Sequence, residues 1–105
     1  MSTHLTYSSA VILQALASGC RYGFDVMDAT GLPSGTVYPA LRRLEKQELA
    51  RAEWEPDDVA HAARRPRRRY YEITRAGLTA LEAARQRFHM LRPAAPEGAL
   101  DPSTA

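Results

Sequence analysis

Five of the six residues 64–69 are arginine: Arg64, Arg65, Arg67, Arg68 and Arg69, interrupted only by Pro66. A cation cluster of that density favours a polyanionic partner, although a merely solvated loop would have the same composition. A second set of cations is spaced rather than clustered. Arg42, Arg43 and Lys46 fall in a stretch where Val37, Leu41, Leu44 and Glu48 recur at helical spacing, so that one face is largely apolar. At about 3.6 residues per turn, Thr36, Pro39, Arg43 and Lys46 lie opposite that row, with Tyr38 and Arg42 on one flank. The outer face carries two positive charges, a hydroxyl and an apolar ring, and no acid. Such a face suits the major groove of double-stranded DNA. An ordinary amphipathic surface helix, its cations turned to water, is the plainer alternative.

Covalent and metal chemistry find no comparable constellation. There is no glycine-rich phosphate loop, no His-x-x-x-His pair and no Cys-x-x-Cys. His4, His61 and His89 are scattered. His4 and His89 could meet at a dimer interface and, with Cys20, form a metal sensor, but their spacing does not enforce convergence. We therefore expect no enzyme, no cofactor and no metal. The lone Cys20 excludes an internal disulfide, is compatible with a reducing cytoplasm, and reads most simply as a small buried thiol.

At 105 residues the chain makes one small domain with a thin core, and a homodimer would bury more apolar surface. The net charge of +2 is modest. Its distribution is not: Glu53, Glu55, Asp57 and Asp58 form an acidic patch just ahead of the arginines. No apolar run approaches the roughly 20 residues that span a membrane. The N-terminus lacks a basic segment followed by an apolar core, so we expect no signal peptide and a cytoplasmic location.

The cations need elements to hold them. Residues 1–7 read as an arm, and Ser8 or Ser9 can cap a first helix reaching about residue 18. A second, short helix over 22–30 ends at Gly31, a position that wants positive φ. Pro33 stiffens the turn and Ser34 can cap the third helix, which bears the cations. Short helix, tight turn and capped second helix is the helix-turn-helix order. Pro39 removes one bond inside that helix, and Gly35, lacking a Cβ, can ease the resulting bend. A bent first turn would aim Ser34, Gly35 and Thr36 at the DNA backbone. Residues 49–54 and 69–74 alternate as two strands of a hairpin, with 56–66 between them as a long, mobile wing. Thr74 can cap a last helix in which Leu81, Ala84, Phe88 and Leu91 form a short seam. Either a partner's helices or the chain's own core could cover it. Pro93 ends the helix, and 93–105 should be disordered.

Four motifs, in order, carry a family resemblance: Tyr22-Gly23-Phe24-Asp25, Ser34-Gly35-Thr36-Val37-Tyr38-Pro39-Ala40-Leu41-Arg42-Arg43-Leu44-Glu45, Arg67-Arg68-Arg69-Tyr70-Tyr71 and Ile73-Thr74-Arg75-Ala76-Gly77. Over residues 10–91 the chain closely resembles PadR-like transcriptional regulators. The resemblance implies a mainly α fold with a small antiparallel hairpin, a winged helix-turn-helix at 8–74 and a dimerisation helix at 75–92. It implies a homodimeric repressor on a two-fold operator, the seam residues forming the dimer interface. It also leaves room for a small-molecule effector. Some short members stack flat aromatic drugs on a tryptophan of the last helix, whereas here the sole tryptophan, Trp54, lies on the hairpin. A winged helix that binds an acidic protein, or a metal- or drug-sensing regulator, are the rival readings.

Overall fold

The computed structural model describes residues 5–88. Thr6 opens the first helix, α1 (Tyr7–Ala17), its hydroxyl accepting the Ser9 N–H at 3.1 Å. The expected caps, Ser8 and Ser9, are already helical, and Leu5 in the expected arm is buried. The earlier hydroxyl wins because it stands one turn ahead of an orphan amide. Helix α1 is the hub. Ala10, Ile12, Leu13, Ala15 and Leu16 are all buried, so it is covered on more than one side.

Helix α2 (Gly23–Thr30) begins after Tyr22, whose N–H donates to the Asp25 carboxylate at 3.3 Å. It ends as expected at Gly31, φ 74°, whose N–H reaches the Met27 carbonyl. Helix α3 (Ser34–Lys46) is capped one residue earlier than expected: Pro33, not Ser34, is the N-cap. The Pro33 carbonyl takes the Thr36 and Val37 amides at 2.9 and 3.0 Å, and the Ser34 side chain makes no capping bond. Pro39 lies inside α3. The bond it forfeits belongs to Gly35 in the exposed first turn, where water can serve the carbonyl. A Cβ at Gly35 would meet nothing within 4 Å, so no crowding there demands glycine. Glu48, expected to continue the apolar row, lies beyond the helix with φ 60°, and the Leu49 N–H closes the end on the Leu44 carbonyl.

Strand β1 (Ala50–Trp54) pairs antiparallel with β2 (Arg69–Ile73), Ala50 opposite Ile73 and Ala52 opposite Tyr71. The chain just before α2 flanks the other edge of β2: Tyr22 bridges to Tyr70, and the Tyr71 N–H donates to the Arg21 carbonyl at 2.7 Å. The wing, expected as an open loop, contains a short helix α4 (Asp57–Ala62). Asp57 and Asp58 in its first turn suit the positive end of the helix dipole. Arg64, in left-handed backbone at φ 56°, turns the chain out of it.

Helix α5 (Arg75–Arg87) starts at Thr74, which caps Gly77 as expected. Gly77 lies against the hairpin: an added Cβ would stand 2.7 Å from Ile73 Cγ1 and closer still to the Leu49 carbonyl oxygen. The proposed seam divides. Leu81 and Ala84 are buried in the chain's own core, where α5 packs on α1. Phe88 already leaves the helix in extended backbone, its ring edge-on to Tyr7 at 5.3 Å. Spacing identifies the apolar face, but the cover for its first two residues is intrachain. Leu91, the tail at 93–105, His4 and His89 lie outside the described residues.

Candidate nucleic-acid interface

Helix α3 is held by Val37, Ala40, Leu41 and Leu44, all fully buried, which turns its opposite side outward. Arg42, Arg43 and Lys46 are exposed there, and among the described residues none has an ion pair or hydrogen bond. They border a shallow hollow with Pro39 and Glu45. Ser34, Gly35 and Thr36 stand at the N-terminal end of the same helix, Ser34 and Gly35 exposed and Thr36 half-buried.

Tyr38 is fixed by a glycine from another helix. A Cβ on Gly23 would come 2.5 Å from Tyr38 Cζ and 2.6 Å from its hydroxyl oxygen, so the ring lies directly on the α2 backbone. The ring is nonetheless 37% exposed. The motif Tyr22-Gly23-Phe24-Asp25 thus contains a packing requirement that its letters alone do not reveal.

The five wing arginines divide sharply. Arg65 is turned inward on Glu55, which is only 3% exposed. Two of its guanidinium nitrogens bond the two Glu55 oxygens, Arg68 N–H donates to Glu55 at 2.9 Å, and the Tyr22 hydroxyl does so at 3.0 Å. These donors, Arg65 foremost, hold the Glu55 carboxyl down at about 2, against the opposing effect of burial. The same bond to Glu55 pushes the Tyr22 phenol up. Arg67 pairs with Asp57 at 3.2 Å and Arg69 with Glu45 of α3 at 2.7 Å, and both guanidiniums stand over the half-exposed Trp54 ring, 5.5 and 5.2 Å from its centre. The Arg68 guanidinium has no carboxylate partner among the described residues. It lies 4.7 Å over Phe24, which stacks nearly parallel on Tyr22 with 5.3 Å between centres. Arg64 is exposed and, among the described residues, unpaired.

The two regions meet: Tyr38 of α3, Phe24 of α2 and Arg68 of the wing border one hollow. Sequence reasoning missed Glu45, Glu55, Gly23 and Phe24 as shapers of this surface. Glu55 sits among four nearby acids, and nothing in that run distinguishes it. On the outer face of the hairpin Glu72 accepts from Arg51 at 3.0 Å and Arg21 at 3.1 Å, which lowers its carboxyl, Arg51 first. The Cys20 thiol is raised by burial and then by Asp25, as befits a packed thiol. Among the described residues no three His, Cys, Asp or Glu side chains gather as a metal site, and no helix is long and apolar enough to cross a membrane.

Comparison with known proteins bears on the same residues. No curated protein matches the chain. The chain is similar to the crystal structure of a PadR family transcription regulator from Clostridium difficile R20291, with TM-score 0.68 and 25% identity over 82% of this chain and 91% of that one. It is similar to a PadR-like transcription factor from Bacteroides fragilis, with TM-score 0.66 and 25% identity over 79% of this chain and 81% of that one. A PadR-like transcriptional regulator from Bacillus cereus ATCC 14579 superposes with TM-score 0.61 at 27% identity, covering 79% and 82%. The model of the transcriptional regulator PadR-like family matches residues 12–83, which spans the helix-turn-helix, the wing and most of α5. With an outward cationic helix beside a wing of this architecture, the chain belongs to the PadR-like family of transcriptional regulators, whose work is regulation through DNA.

Proposed function

We propose that the chain is a cytoplasmic homodimeric repressor that blocks a promoter by occupying a two-fold operator. One observation carries this reading: Arg42, Arg43 and Lys46 stand together on an exposed helix face without an ion pair among the described residues, the neighbouring Glu45 being held by Arg69. In the wing, by contrast, carboxylates sit against Arg65, Arg67 and Arg69. Helix α3 enters the major groove, Arg43 central on its outer face and Thr36, Tyr38, Arg42 and Lys46 around it. The free amides of Ser34 and Gly35 meet a phosphate at the helix N-terminus. From the wing, Arg68 and Arg64 reach phosphates or a minor groove. Arg65, Arg67 and Arg69 serve chiefly to shape it, held by Glu55, Asp57 and Glu45. The second copy docks on α5, with Phe88, Leu91 and the half-exposed Leu78 at the contact. Leu81 and Ala84 support that face from within.

The test separates base reading from positioning. An operator selected from random-sequence DNA would be titrated with parent and Arg43→Ala, alongside operators altered one pair at a time and unrelated DNA. A bidentate contact from Arg43 to a guanine discriminates by about 1–3 kcal/mol. The variant should lose affinity mainly on the operator and relax preference at one pair per half-site. A uniform loss on every DNA would make Arg43 a phosphate contact. Absence of any DNA binding by the parent would favour a protein-interaction module instead.

A further inference from the structure

We propose that Glu55 is a positioning residue for DNA binding: it touches no DNA, and its buried carboxylate sets where the wing presents Arg68. The inference rests on reading the wing as a DNA contact. Glu55 stands at the neck of the wing, one residue past β1, and its own N–H donates to the Arg68 carbonyl at 2.9 Å while its carboxylate accepts the Arg68 N–H. Residues 55 and 68 therefore clasp each other backbone to backbone and backbone to side chain. A carboxylate buried in a loop is costly unless donors meet it. Here they come from three places: Arg65 after α4, Arg68 at the start of the second strand, and Tyr22 before α2.

The arrangement closes into a circuit. Glu55 holds the Tyr22 hydroxyl, Tyr22 stacks on Phe24, Phe24 lies under the Arg68 guanidinium, and the Arg68 backbone returns to Glu55. Arg65 is spent on the carboxylate, whereas the Arg68 guanidinium has no acid among the described residues and borders the hollow shared with Phe24 and Tyr38. Arg68 is the wing arginine that is both stacked on a ring and without an ion pair among the described residues. Glu55 itself, buried and negative, is excluded as a phosphate contact.

The experiment is a double-mutant cycle read on DNA. Parent, Glu55→Gln, Arg68→Ala and the double variant would be titrated against a mixed-sequence labelled duplex at low salt, with thermal unfolding followed in parallel. Glu55→Gln keeps the side chain's size and removes its charge. Coupling between contacting residues sets the expectation: Glu55→Gln should weaken binding about tenfold in the parent and no more than about twofold in the Arg68→Ala background. Equal losses in both backgrounds would mean general damage to the fold and would overturn the proposal, as would no loss in the parent. Should Glu55→Gln unfold, Tyr22→Phe removes one donor and keeps the ring stack. It should give a smaller loss that likewise vanishes in the Arg68→Ala background, and a loss that persists there counts against the proposal. If Arg68→Ala binds like the parent, the wing reading itself fails and takes this inference with it. If Arg68→Ala weakens binding while Glu55→Gln does not, only the role of Glu55 fails.

Discussion

The contact between Gly23 and Tyr38 offers a perturbation whose sign depends on the background. Gly23 is the first residue of α2 and buried, and the Tyr38 ring lies where its Cβ would be. Gly23→Ala must therefore push a ring whose nearest atoms stand about an ångström inside van der Waals contact. Overpacking of this kind costs about 1–3 kcal/mol. Alanine recovers part of that, because it is better than glycine in a helix by about 0.5–1 kcal/mol, less at a first helical position. The net expectation is a loss of about 1–2 kcal/mol, or a fall in Tm of about 4–8 °C per kcal/mol for a domain of this size.

Removing the ring should invert the result. In a Tyr38→Ala background Gly23→Ala meets no clash, only the helix preference survives, and the substitution should stabilise by a few tenths to about 1 kcal/mol. Thermal unfolding of the four proteins decides it. DNA titration adds a second readout: because the single variant moves Tyr38 off α2, it should weaken binding as Tyr38→Ala does. Equal effects of Gly23→Ala in both backgrounds would show that the glycine is kept for some reason other than the tyrosine, and the account of the motif would fall.

Gly77→Ala should be more damaging, because the Leu49 backbone oxygen cannot rotate away as a half-exposed ring can. A loss at or above about 1–3 kcal/mol in urea unfolding is expected, and an unchanged midpoint would mean that α5 is free to lift off the hairpin. The Glu55 carboxyl, near 2 when folded against an ordinary 4.5, contributes stability that is complete above pH 4.5 and drains away as pH falls toward 2. Glu55→Gln should flatten the acid limb of stability against pH in that window and run parallel to the parent above it; an unaltered limb would contradict the network. Binding to mixed-sequence DNA should fall with salt at about −0.9 per phosphate neutralised. Arg42, Lys46, Arg64 and Arg68, without ion pairs among the described residues, predict a slope of about −3 to −4 per protomer by that rule, and a steeper slope would show Arg65, Arg67 and Arg69 abandoning their acids or Arg43 on a phosphate.

Where local chemistry decides, the sequence was legible. Gly31 closes α2 and Thr74 caps α5 in the structure because each depends on neighbours within a few residues, whereas the alternation expected of β1 stops at Trp54, which is exposed. The outer face of α3 was legible for the same reason. Competing local signals caused the small errors. Thr6 and Pro33 took the caps assigned to Ser8, Ser9 and Ser34, and Glu48 imitated helical spacing while ending the helix without a glycine. Helix α4 hid because Asp57 and Asp58, which suit a helix N-terminus, resemble a mere acidic patch. Partnership was not legible at all. Leu81 and Ala84 have a seam's spacing whether a second copy or α1 covers them, and no periodicity distinguishes the two.

The same limit governs charge. Composition treats eight cations in α3 and the wing as equivalent, and only the fold assigns carboxylates to three of them: Glu55 to Arg65, Asp57 to Arg67, Glu45 to Arg69. Exposed pairs such as Arg67–Asp57 contribute little stability, about 0–1 kcal/mol. The other effect of these acids is to neutralise at short range the arginines that they hold. What remains positive is the outer face of α3 together with Arg68 above Phe24 and Arg64 at the turn. Glu55 and Asp57 from the acidic run, with Glu45 of α3, thus leave the free cations on the outer face of α3 and on the wing, where Arg68 shares a hollow with Tyr38. Charge gathered in one place orients a helix in a groove, whereas the same charge spread over the domain would only attract DNA without aligning it.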